Sequence, residues 1–97
     1  MLSEAKDTSE LMVDLAYAAL YFGDPDMAEE VSELEEQMSA LIHDMRAVCV
    51  LAARRPQEAE EMASVLQVVS AIENIANDAV DIARIVGLGA RVHAAAT

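Results

Sequence analysis

From Pro56 to Val86 one apolar seam runs without a break: Met62, Val65, Val69, Ile72, Ala76, Ala79, Ala83 and Val86. The steps alternate between three and four residues, which keeps one side chain per turn on the same face and marks a helix packed lengthwise against other helices. Beside the seam stands a polar ladder, Glu73, Asn77 and Asp81, spaced four residues apart. On a helix of 3.6 residues per turn that spacing stacks the three side chains along one side. All three carry oxygen atoms able to ligate a metal ion.

The chain upstream has the same grammar. A first helix is predicted from near Ser3, or from Thr8 if Asp7 and Glu10 form a capping box, to Phe22. Its seam reads Thr8, Leu11, Leu15, Ala18 and Phe22, which leaves Met12 and Leu20 off the packed face. Gly23 closes this helix, and Asp24 caps the next with Pro25 at its first position, where the missing N–H costs nothing. The second helix, residues 25–54, carries Met27, Val31, Leu34, Met38, Leu41, Met45, Val48 and Ala52 in heptad spacing. Its early acids (Glu29, Glu30, Glu33, Glu35, Glu36) and late bases (Arg54, Arg55) suit the helix dipole. Pro56 stops it and opens the third helix, residues 57–86, which Gly87 and Gly89 are predicted to end. Residues 1–88 then form one domain, and 89–97 a flexible tail or the stub of a truncated downstream region.

Three helices of about 30, 45 and 45 Å joined by very short turns must run up, down and up. The fold class is therefore all-α, a three-helix bundle. Leu66, Ile75 and Ile82 of the third helix lie off its seam, as Met12 and Leu20 do on the first. That much uncovered apolar surface predicts self-association into a two-fold dimer with a six-helix body.

Charge narrows the function. Eighteen acids against six bases give a net charge of −12, with Lys6 the one Lys. A phosphate backbone needs a basic face and an anionic membrane surface repels an acidic one, so neither nucleic acid nor direct membrane insertion is expected. No basic-then-apolar leader and no apolar run long enough for a membrane span occurs, and Cys49 has no second Cys to pair with. These features read as a cytoplasmic, acidic protein.

The run Ser70-Ala-Ile-Glu-Asn-Ile-Ala-Asn-Asp-Ala-Val-Asp-Ile-Ala83 resembles the last helix of a PhoU-like repeat, with acids at four-residue steps ahead of an Ile-Ala pair. Lys6–Leu20 and Ala28–Glu36 resemble the first two helices of that repeat. More narrowly, the three together are similar to the single PhoU-like unit that precedes a TrkA-C domain in archaeal potassium-channel-related proteins. The resemblance implies a three-helix repeat, two of which make a six-helix body, and a regulatory role beside a potassium or phosphate transporter or channel subunit. It also implies a divalent or iron-type metal held through E/D-xxx-D pairs. Carried onto this chain, those are Glu10 with Asp14 and Glu73 with Asp81, while Asn77 stands where the family usually has Asp. The neutral amide lowers the charge such a site offers a hard cation.

Two other readings compete. Glu29, Glu30 and Glu33, with Asp78 and Asp81, resemble the acids with which MazG-type nucleotide pyrophosphohydrolases hold magnesium, although the gap between the two groups is longer here and basic phosphate-holding residues are scarce. A purely structural helical dimer without a ligand is the third. In it the ladder is a solvated flank, with Asp81 paired to Arg84. No Ser-His-Asp, Cys-His or Gly-rich phosphate loop is present, so nucleophilic catalysis has no apparatus. His43 is expected at the surface and Cys49 in the core.

Overall fold

A computed structural model describes all residues from Met1 to Thr97. Three helices fill it: α1 (Leu2–Phe22), α2 (Pro25–Ala52) and α3 (Pro56–Ala96). They run up, down and up in a rod 62 × 18 × 15 Å, each packed against the other two. No helix is long and apolar enough to cross a membrane.

The turns are built as their residues dictate. Gly23 takes the left-handed conformation at φ 62°, the chain's single positive φ, and thereby ends α1. Asp24 then caps α2: its carboxylate accepts the backbone N–H of Asp26 at 2.9 Å and of Met27 at 3.4 Å, and Pro25 supplies the first turn. Between α2 and α3, Ala53, Arg54 and Arg55 make the turn and Pro56 starts the new helix. Asp7 and Glu10 do not cap a helix start, since α1 already begins at Leu2.

The seam on α3 is as predicted from Val69 onward, with Val80 added and with Met62 and Val65 half-buried where the bundle thins. On α2 the core takes Val31, Met38, Ile42, Met45 and Cys49. Val48, predicted in the seam, is half-exposed. The buried seam steps from Met45 to Cys49 instead, which turns Val48 away from the core. On α1 the predicted seam is wrong by one position. The buried residues are Ala5, Ser9, Met12, Ala16 and Ala19; Met12 is 0% exposed, while Leu11 is 48% and Phe22 69% exposed. Three helices approaching this closely leave room on α1 for small side chains and one flexible large one, and the bulkier residues stay outside. The buried Ser9 is satisfied, donating to the Lys6 carbonyl oxygen at 2.7 Å.

The expected helix end at Val86 and the tail at 89–97 are also corrected: α3 continues through Gly87 and Gly89 to Ala96, 41 residues in all. An interior Gly costs a helix about 1 kcal/mol, but no Pro follows, and Ala90, Arg91 and Ala94–Ala96 favour helix strongly. A Cβ at Gly89 would meet nothing within 4 Å, and at Gly87 only the end of Arg91 at 3.7 Å. Gly87→Ala and Gly89→Ala are therefore expected to stabilise the protein by about 0.4–1 kcal/mol each in urea titrations. Gly23→Ala should instead destabilise it by about 1–2 kcal/mol, because an L side chain resists that positive φ.

Candidate functional site

The lengthwise register of the helices decides which polar residues can act together. Arg46 of α2 reaches Glu73 of α3, and near the other end Pro25, Ala28 and Glu29 line a cleft with Gly87, Ala90 and Arg91. On the opposite flank of α3, Lys6, Ser9, Glu10 and Asp14 of α1 lie beside Ile72 and Ile75.

The polar ladder does not stay on one line. Each step of four residues turns about 40° beyond a full circle, so a row starting at the α2 boundary winds away from it. Glu73 sits at that boundary, half-buried, whereas Asn77 and Asp81 are exposed. Glu73 accepts two hydrogen bonds from the Arg46 guanidinium, at 2.8 and 3.2 Å, one to each carboxylate oxygen. Those bonds hold the Glu73 carboxyl below its ordinary range, against the opposing effect of partial desolvation, and they raise Arg46 above its own. Asp81 leans toward Arg84 of its own helix at 3.8 Å.

Glu10 and Asp14 fall on the other side of α3, both exposed, and Glu10 pairs with Lys6 at 3.2 Å. Nowhere in the chain do three His, Cys, Asp or Glu side chains gather around one point. Glu73, Asn77, Asp81, Glu10 and Asp14 are thus spread over two flanks of α3. The MazG-like acids do not converge either. The α2–α3 register sets Glu33 about one turn along from Asp81 and about two from Asp78.

Arg46 was not foreseen. The signal for it was thin: it is the one base in the interior of α2, next to the seam residue Met45, and only the antiparallel pairing carries it to Glu73. Since Glu73 is more acidic folded than unfolded, the pair's stabilisation is present above the ordinary Glu value of 4.5 and is lost as pH falls through the lower folded value. Urea titrations of wild type and Glu73→Gln should accordingly differ at pH 7, and the gap should close as pH drops below about 4.

With three antiparallel helices, acids on two flanks and a sequence order of helices that matches throughout, the family can be tested directly. The model of the PhoU domain matches residues 2–86. The chain belongs to the PhoU domain family. That family is regulatory, is associated with the control of phosphate transport, and its members interact with transport-system proteins. The match spans α1, α2 and α3 as far as Val86, and the last ten helical residues, 87–96, lie beyond it. No curated protein is similar enough to this chain to count as a match.

Proposed function

We propose that this PhoU domain is a regulatory interaction module of a potassium or phosphate transport system, working as a homodimer through the outer face of α1. The observation that carries the reading is the inversion on α1: Leu11 and Phe22 stand exposed while alanines fill the inside. From Leu15 to Gly23 no residue is charged, and Tyr17, Leu20 and Tyr21 are exposed there as well. In a chain of net charge −12, such an acid-free apolar stretch is where another protein can approach without repulsion. The narrower tie to units that precede a TrkA-C domain favours potassium, and the family association favours phosphate.

Metal tuning at Glu10, Asp14, Asn77 and Asp81 needs a second copy to complete a ligand set, so it stands or falls with the dimer. Dialysis against iron, manganese, zinc or magnesium, with metal content measured beside an Asp14→Ala/Asp81→Ala variant, tests that part alone.

The function itself is tested in cells lacking the protein. Phosphate or potassium uptake should lose its normal response to supply, and wild-type protein should restore it while Leu11→Arg/Phe22→Arg does not. Unchanged uptake of both ions overturns the reading. Magnesium-dependent pyrophosphate release from nucleoside triphosphates that Glu33→Gln removes would favour the enzyme instead.

A further inference from the structure

The polar side-chain links of this bundle are almost all local. Lys6 pairs with Asp7 and Glu10, His43 with Asp44, Arg55 with Glu58 and Arg84 with Asp81. Ser9, Ser64 and Thr97 bond back to their own helix, and Asp24 to the turn that it caps. Arg46–Glu73 is the exception, joining α2 to α3 across 27 positions of sequence.

It joins them where packing alone discriminates weakly. Ala5, Ala16 and Ala19 on α1, Ala28 on α2, and Ala76, Ala79 and Ala83 on α3 supply much of the core. Along α3 those small side chains offer similar holes at successive turns, and the α2 face opposite includes Met38 and Met45, flexible enough to refit after a shift, so packing discriminates less sharply than a core of branched residues would. A lone polar pair at the edge of such a seam can select one alignment among several. The geometry here suits that role. The guanidinium fork uses both Glu73 oxygens, and a slip of one turn, about 5.4 Å, breaks both bonds. Both charges are only part-buried, so the selection comes from the two bonds lost and not from desolvation.

The same geometry bears on the ladder's capacity for metal. A divalent ion at Glu73 must displace a cation already seated on both oxygens, and the next rung, Asn77, contributes no charge.

We propose that Arg46 is the resident cation of the α3 ladder: it fixes α2 and α3 in a single register and closes Glu73 to metal. The wild-type protein is compared with Arg46→Gln, Glu73→Gln and the exchanged pair Arg46→Glu/Glu73→Arg, using amide proton–nitrogen spectra and manganese binding. Wild type should give one sharp set of resonances and no manganese uptake that depends on Glu73. Each single variant should show doubled or broadened resonances over Ser39–Leu51 and Val69–Asp81, and the exchanged pair should return to one set. Single variants that keep one sharp set overturn the lock, as does an exchanged pair that stays heterogeneous. Stoichiometric manganese on wild type that Glu73→Gln abolishes overturns the closure. Should a single variant fail to fold, the exchanged pair decides: a folded, single-register protein supports the lock, and its failure refutes it.

Discussion

Met12→Ala should lower stability by about 2–5 kcal/mol, whereas Leu11→Ala, one position away, should change the monomer by less than about 1 kcal/mol. Met12 is, with Met38, the largest of the fully buried side chains, so truncation leaves a cavity that neighbouring alanines are too short to fill. Leu11 is half in water and leaves none. For a domain of this size each kcal/mol moves the midpoint of thermal unfolding by about 4–8 °C, so the Met12 variant should melt at least about 8 °C below wild type. Both measurements belong at low protein concentration, where association does not add to the apparent stability of Leu11. Equal losses at the two positions would restore the Leu11 seam to the core and undo the assignment of α1's outer face.

Light scattering should find wild type at twice the chain mass of 10.4 kDa and Leu11→Arg/Phe22→Arg at the chain mass itself, with helix content unchanged. Two residues that pack nothing inside the bundle can take charge without unfolding it, so the loss would be of partner and not of fold. Arginine is the better probe than glutamate, since added acid would weaken association through overall repulsion alone. A wild-type protein of single chain mass would remove the dimer, and with it any metal set shared between copies.

Most of the fold could be read from the sequence because its punctuation is strong and local. Gly23-Asp24-Pro25 and Pro56 act within their own turns, and the α3 seam is legible because Val69 and Ile72 are large among small residues. The errors have physical reasons. On α1 the bulkier side chains form the outer stripe, so a reading that sends the largest apolar residues inward selects the wrong face by one position. Gly87 and Gly89 were given the weight of a stop, although without a left-handed φ they cost only propensity. At the candidate site, spacing alone stacks Glu73, Asn77 and Asp81, but it cannot show that Arg46 takes both oxygens of the first, because that contact exists only once α2 and α3 pair. Glu10 and Asp14 fall on the far flank of α3 for the same reason.

The unbroken course of α3 gives this small protein a lever. One helix joins the Arg54–Arg55 turn to the far tip at Ala96, accounting for nearly the whole 62 Å of the molecule, and its last turns lie beside the start of α2. A helix resists bending far more than a loop does, so tilting α3 by about 5° against the α1–α2 pair carries its tip about 5 Å. Whatever grips one end of that rod is mechanically felt at the other.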